Sequence, residues 1–331
     1  MTCHRSPLNL HSLVAVVIVM LALPGYAVES PQRIVRLGFV SPDSPSTVPP
    51  GYRAFWERLR ELGYEEGRNL IVDTRWAEGR YDRLPHLMAE VAGLKVDVLV
   101  TYTTPAGIAA RNATRTIPIV DAHMGDPVGT GLVASLARPG GNLTGLSQGF
   151  ADISGKWLEL LKDTIPRLST VAVIENPDNP LNVETAKRLD SMAPTLDLKL
   201  SIIKARNLEA LDNAFGQASR KAQAALLLPD NVFALDFRRV TALATKYRLP
   251  VMYFDREFVV TGGLMAYAPD ISMIFRRAAE YVDKILKGAK PAELPVEQPN
   301  QYELAINLKA ARALGINMPD SVLVRANEVM R

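Results

Sequence analysis

Val96-Asp97-Val98-Leu99-Val100-Thr101-Tyr102-Thr103-Thr104-Pro105 is the stretch that decides the fold. Its apolar run is short and rich in β-branched residues, which is how a strand buried on both faces reads. A polar loop from Thr101 to Thr104 follows, and Pro105 suits a first helical turn with Thr104 before it as a cap. After the helical stretch comes a second strand signal in Arg115-Thr116-Ile117-Pro118-Ile119-Val120-Asp121. A later region repeats the plan: Ala224-Ala225-Leu226-Leu227-Leu228, a polar loop from Pro229 to Asn231, a helical stretch to Tyr247, then Arg248-Leu249-Pro250-Val251-Met252-Tyr253. Pro118 and Pro250 hold matching places in the two copies. Strand, loop, helix and strand is the unit of a parallel α/β sheet, so the chain predicts two such lobes.

The remaining elements extend each lobe. Ile34 to Val40 reads as a first strand, Tyr52 to Leu62 as a helix stopped by Gly63, Leu70 to Trp76 as a strand and Leu84 to Leu94 as an amphipathic helix. Leu132 to Ala137 reads as a short helix before the turn Pro139-Gly140-Gly141-Asn142. Ser154 to Ile165, Asn182 to Met192, Leu208 to Gln223 and Ile271 to Lys287 are helical. Thr170 to Ile174, Leu198 to Lys204 and Gly263 to Tyr267 are strands. Leu304 to Leu314 reads as a last helix ended by Gly315.

With 331 residues, 48% of them hydrophobic and 22% charged, the chain has room for two ordinary cores. Its N-terminus differs from the rest. Arg5 is followed by the uninterrupted apolar run Leu13 to Leu23 and then Pro24-Gly25-Tyr26-Ala27, which reads as a cleavable signal peptide over residues 1–27. Such a run is too short to cross a hydrocarbon core of ~30 Å. The single cysteine, Cys3, leaves with that segment, so no disulfide, Cys metal site or lipid-anchoring cysteine is expected. With 38 basic residues against 35 acidic, the charge balance implies neither nucleic acid nor an anionic membrane surface as partner. The expected product is extracytoplasmic, most simply periplasmic, with no stable membrane anchor and monomeric.

Enzyme motifs fail on physical grounds. Gly145-Leu146-Ser147-Gln148-Gly149 matches a nucleophile elbow, but the base histidine of such hydrolases follows the serine, and His86 and His123 both precede Ser147. Gly129-Thr130-Gly131-Leu132-Val133-Ala134 matches a loose dinucleotide fingerprint, yet it does not open the first strand–helix turn, and no following strand ends in the required acid. Two histidines 37 residues apart with no close carboxylate companion make a weak case for a metal, and none is expected. No cofactor is expected, and the chain reads as a binder rather than an enzyme.

Ligands of open α/β sheets sit outside the carboxyl ends of the strands. Here those ends carry Ser41 to Thr47, Tyr102 to Thr104, Asp121 with Asp126, Glu175 to Asn179, Asp230-Asn231, Tyr253 to Arg256 and Tyr267. Their charges are mostly acidic, and helix N-termini follow them, which suits a solute bearing both an ammonium and a carboxylate.

Several segments carry a family resemblance. They are Glu61-Leu62-Gly63-Tyr64-Glu65-Glu66-Gly67-Arg68-Asn69-Leu70, Trp76-Ala77-Glu78-Gly79-Arg80-Tyr81-Asp82-Arg83-Leu84-Pro85, Gly125-Asp126-Pro127-Val128, Leu136-Ala137-Arg138-Pro139-Gly140-Gly141-Asn142-Leu143-Thr144-Gly145, Tyr281 to Gly288, and Leu294 to Pro299 with Leu304 to Asn307. In this order they resemble the solute-binding proteins of ABC transporters, specifically the tryptophan/tyrosine-type substrate-binding family. The resemblance implies a type I periplasmic-binding-protein fold: two doubly wound parallel-sheet lobes joined by three crossovers. The implied lobes are 32–144 plus 263–300, and 145–262 plus 301–331. Ligand is expected between them at Thr103, Thr104, Asp126, Pro127, Asn176, Asp178, Asp230 and Tyr253, with Ser41, Ser44, Tyr102 and Tyr267 as further candidates. The implied role is capture of an aromatic amino acid or related small acid by domain closure and its delivery to an ABC permease and its ATPase. Delivery to a sensory receptor, or an exported α/β enzyme, are the alternatives. Tyr102 and Asp121-Ala122-His123-Met124 depart from the small or aliphatic residues expected around such a pocket.

Overall fold

The computed structural model describes residues 33–48 and 50–331. The expected signal peptide lies outside the described residues. Twelve strands run in chain order as β1 Val35–Ser41, β2 Leu70–Trp76, β3 Val98–Thr101, β4 Ile119–Met124, β5 Leu143–Ser147, β6 Thr170–Glu175, β7 Lys199–Lys204, β8 Ala224–Leu227, β9 Val251–Tyr253, β10 Met265–Ala268, β11 Glu303–Asn307 and β12 Glu328–Met330. The α-helices are α1 Pro50–Glu61, α2 Leu84–Gly93, α3 Thr104–Ala113, α4 Phe150–Thr164, α5 Pro180–Met192, α6 Leu208–Lys221, α7 Asn231–Ala234, α8 Phe237–Lys246, α9 Arg256–Val260, α10 Ile271–Leu286, α11 Leu308–Ala313 and α12 Asp320–Leu323.

The strands form two sheets, β2-β1-β3-β4-β5 and β7-β6-β8-β9-β10-β11-β12. All pairs are parallel except β10 with β11. Read along each sheet, the first five strands of both lobes follow the order 2-1-3-4-5, the doubly wound arrangement. Period-two alternation explains the first lobe's two cores. Leu37, Phe39, Val98, Val100 and Val120 pack on one face against Phe55 and Leu59 of α1 and Phe275 and Val282 of α10. Val40, Leu99 and Ile119 pack on the other against Met88 and Val91 of α2 and Ala106 and Ala110 of α3. Each such fully buried large side chain contributes ~1.5–3 kcal/mol relative to exposure. The second lobe has one continuous cluster around Trp157, Leu226, Phe215 and Phe258.

The chain passes between lobes three times, at Gln148–Gly149, at Pro269–Asp270 and around Gln298–Tyr302, giving the type I periplasmic-binding-protein fold. Gly149 is required at the first passage: its φ is +65°, and a Cβ there would lie 2.0 Å from the Tyr302 hydroxyl.

Four expectations are corrected. Residues 263–268 belong to the second lobe, because β10 pairs with β9 and β11, and the return to the first lobe begins with α10. The first lobe also keeps β5, which pairs with β4 through Ser147, so the chain leaves it at Gln148 rather than at residue 145. Leu304 to Asn307 is strand, not helix: Leu304, Ala305 and Ile306 fill a buried sheet position, and Asn307 then caps α11 by accepting from Ala310 N at 3.0 Å. Leu132 to Ala137 forms no helix; Leu132 and Val133 plug the core from a turn.

Candidate functional site

In both sheets the strand order reverses beside the first strand, between β1 and β3 and between β6 and β8. Loops at the carboxyl ends of those four strands face one another and enclose a cavity between the lobes. The centre of a water-sized sphere can reach about 60 Å³ of it. One bridging water needs only ~10–15 Å³ on that measure, so the space suits a small solute.

The first lobe supplies Asp43, Thr103, Thr104 and His123. Thr103 has φ 80° and ψ 148°, a conformation that is essentially glycine's alone and costs a side-chain-bearing residue ~1–3 kcal/mol. Its Oγ1 is buried without a hydrogen-bond partner. It precedes α3, whose N-terminus has no capping side chain, so the first turn offers N–H groups to an anion. Thr104 Oγ1 accepts from Gly125 N at 3.2 Å and ties this loop to the end of β4. Asp43 is 3% exposed. Its Oδ2 accepts from the Tyr102 hydroxyl at 2.7 Å, and that hydroxyl lies 2.6 Å from Ser41 Oγ.

The second lobe supplies Asn179, Asp230, Asn231 and Asp255, with Leu181, Phe237 and Phe254 as apolar wall. Asp230 Oδ1 accepts from Val232 N at 2.9 Å as the cap of α7, and Oδ2 accepts from Asn179 Nδ2 at 2.9 Å. Three contacts span the gap. Tyr81 donates its hydroxyl to Asp230 Oδ1 at 3.1 Å, Asn231 Nδ2 donates to Asp43 Oδ1 at 2.9 Å, and Arg188 pairs with Asp126 at 3.3 Å.

Burial raises the acids. Asp43 is pushed up to about 7, an effect that hydrogen bonds from Tyr102 and Asn231 reduce and the nearby Asp230 charge increases. Burial likewise pushes Asp230 and Asp255 up to about 6. Burial also holds His123 down to about 4, so its imidazole is neutral at physiological pH. The ring packs against Tyr102 and Phe275 at 5.3 and 5.4 Å, and its Nδ1 has no partner. Among the described residues no lysine or arginine lines the cavity.

Of the residues singled out from sequence, Thr103, Thr104 and Asp230 line this cavity. Ser41 and Tyr102 stand behind it and fix Asp43, while Asn176 hydrogen-bonds Asp230. Ser44 bonds to Ser46 and Thr47 within its own loop. Pro127 is buried next to Asp126, which sits in the interlobe ion pair outside the cavity. Asp178 pairs with Arg206 on the surface. Tyr253 points into the second lobe's core, stacked on Phe258 at 4.7 Å, because the period-two strand β9 turns it away from the gap. Tyr267 packs on Tyr302 near the third passage. Asp43, Asn179 and Asn231 lay inside the strand-end segments where ligand was expected, and His123 in the stretch that departs from the expected pocket residues, but none was singled out as a binding residue; Tyr81 lay only in a segment that carries the family resemblance. Only chain order around the reversal points separates them from ordinary loop residues.

The decoy motifs resolve structurally. Ser147 Oγ accepts from Gly149 N at 3.1 Å within the first passage, and no helix follows Gly129 and Gly131. Among the described residues no group of three or more His, Cys, Asp and Glu is placed to hold a metal, and no helix is long and apolar enough to cross a membrane.

A family model described as ABC transporter substrate binding protein matches residues 38–330. The chain belongs to this family. Substrate-binding proteins of this kind bind solutes rather than transform them. Among its relatives is the "Tyrosine-binding protein" of Clostridioides difficile, 28% identical over 272 residues that span 79% of this chain and 75% of the relative. Two solved structures superpose closely. A conserved domain protein from Vibrio cholerae has a TM-score of 0.84 and 29% identity, covering 90% of this chain and all of that one. An ABC domain from Streptococcus pneumonia in complex with L-Trp has a TM-score of 0.82 and 25% identity, with the same coverage.

Proposed function

We propose that this substrate-binding protein works outside the cytoplasmic membrane, captures a small amino-acid-type solute between its lobes, and delivers it to an ABC permease. The observation that carries this reading is the cavity at the paired reversal points. It has an uncapped helix N-terminus for a carboxylate at Thr103, buried carboxyls for an ammonium at Asp230 and Asp43, and Phe237 and Phe254 as apolar wall. Aromatic amino acids and related small acids head the candidates, as L-Trp and tyrosine are the solutes named for two relatives.

The mechanism is closure. Tyr81–Asp230 and Asn231–Asp43 bridge the lobes, and a hinge opening would separate both pairs. A solute that touches both walls adds contacts that the open form lacks, and only such differential contacts shift the equilibrium. The closed form is then the one that a permease recognises. Neutral imidazole and unpartnered Thr103 Oγ1 reject a solute that fails to pair them, since an unmatched buried polar group costs ~1–3 kcal/mol.

Calorimetric titration of the purified protein with the proteinogenic amino acids and small aromatic acids tests this. A saturable heat for a subset, with the solute recovered unchanged, supports capture. Turnover of any solute, or no heat with all of them, overturns it.

A further inference from the structure

The walls of the cavity hold more negative than positive partners. Asp43, Asp230 and Asp255 come from three separate loops, after β1, β8 and β9, and among the described residues the cavity has no lysine or arginine to answer them. The hydrogen bonds that Asp43 and Asp230 receive all come from neutral groups: Tyr102 and Asn231 on one, Tyr81, Asn179, Asn176 and a backbone N–H on the other. Neutral donors orient a buried carboxyl but bring no counter-charge, so its charged form is favoured in the closed gap only when a solute supplies a cation. One anion-accepting end, the start of α3, faces this set.

Two further groups show that the space expects a solute. Thr103 Oγ1 and His123 Nδ1 are each on residues only 7% exposed, line the cavity and lack partners. His123 cannot serve as the missing counter-charge, because burial keeps its ring neutral.

Asp255 is held as the cap of α9, accepting from Glu257 N at 2.8 Å, which leaves Asp43 and Asp230 as the two acids bonded across the gap. A zwitterion with one ammonium would compensate one of these two and seal the other into the closed gap without a counter-charge. We propose that the solute is a dibasic amino acid, with its carboxylate at Thr103 and the start of α3, one ammonium at Asp230 and a second ammonium or guanidinium at Asp43. This rests on the capture reading and departs from the aromatic candidates that the relatives suggest, because Asp43 offers a second carboxyl that a neutral side chain leaves without a counter-charge. Asp43 then determines specificity. It lies in the first lobe and accepts Asn231 from the second, so the second basic group of the solute also draws the lobes together.

The test compares L-lysine and L-arginine with L-norleucine, which has lysine's aliphatic chain without its terminal amine, and with L-tyrosine, by calorimetry on the wild-type protein and on Asp43→Asn. The expected result is at least about tenfold tighter binding of the dibasic pair than of norleucine and tyrosine, the fold-change of one charge-assisted bond, with that preference lost in Asp43→Asn. Equal or tighter binding of norleucine or tyrosine overturns the dibasic class and leaves capture standing. A preference that survives in Asp43→Asn overturns the role of Asp43 and makes it an interlobe latch only. No binding by any of the four overturns this inference, and failure of the whole amino-acid panel overturns capture as well. The wild-type comparison needs no variant, so a misfolded Asp43→Asn does not protect the proposal.

Discussion

Tyr81, in a short turn before α2 of the first lobe, donates its hydroxyl to Asp230 at the head of α7 in the second lobe, 3.1 Å away. Burial keeps this phenol well above its usual range, and the adjacent carboxylate adds to the effect, so it is always a donor here. On the proposed closure mechanism this bond forms as the gap shuts, which assigns Tyr81 to the closed state rather than to either lobe.

Tyr81→Phe removes that donor and nothing of the ring's packing. Bonds to charged acceptors contribute ~1.5–3 kcal/mol, so solute affinity should fall about 10- to 100-fold. The melting temperature without solute should move little, because neither lobe's core is touched. Calorimetry and a thermal melt on the same preparation check both halves.

Thr103→Gly should act in opposite directions on stability and binding. Relief of the φ 80° backbone stabilises by ~1–3 kcal/mol, offset in part by glycine's larger unfolded-state entropy, ~0.5–1 kcal/mol. The unliganded protein should therefore melt about 2 °C higher. Loss of the Oγ1 should weaken solute binding several-fold. A variant that melts lower without solute would show that the backbone here is not strained.

The raised acids give a pH dependence with a definite sign. Burial pushes Asp43 up to about 7 in the folded chain from its ordinary value of 3.8, so the folded state holds more protons between those values. Stability contributed by keeping it neutral is complete below about 4 and is lost as pH rises through 7. Asp43→Asn cannot lose it. The variant's melting temperature minus that of the wild type should therefore rise between pH 5 and pH 7.5 and then level off. A flat difference would mean that Asp43 is charged throughout. His123, driven down by burial, has the opposite trend below 6.5, but it is common to both proteins and cancels.

Two acids from adjacent loops should separate cleanly. Asp230→Ala strands Tyr81 and Asn179 and should cost roughly 100-fold or more in affinity, the usual loss for one partner of a buried charged contact. Asp178→Ala removes only the exposed pair with Arg206, worth ~0–1 kcal/mol, and should leave affinity unchanged. Titration of both variants with one solute decides the matter.

Gly145→Ala tests the packing of β5 on β4. Gly145 has φ +143°, and a Cβ there would lie 2.0 Å from the Asp121 carbonyl oxygen, a backbone atom that cannot step aside. Destabilisation of about 2–4 kcal/mol is expected from denaturant titration.

The sequence made the sheets legible because strands buried on both faces leave apolar runs such as Val96–Val100 and Ala224–Leu228, and Leu70–Trp76 matches β2 to the residue. It failed where burial and periodicity disagree. Leu304 to Asn307 is short and apolar and runs straight into a helix, so the strand is invisible until β10 lies beside it. Leu132, Val133 and Leu136 have helical spacing, but Leu132 and Val133 plug the core from a turn. The site was legible only as a set of loops. Thr103, Thr104 and Asp230 stand at strand ends and could be named. Tyr81, His123 and Asn179 depend on how the lobes face each other, and Tyr253 depends on which face of a three-residue strand it takes.

Small-angle scattering with and without the tightest-binding amino acid tests the central claim most directly. The account predicts a smaller radius of gyration with solute, and a contraction that Tyr81→Phe and Asp230→Ala weaken. A radius that stays constant at saturating solute would contradict it.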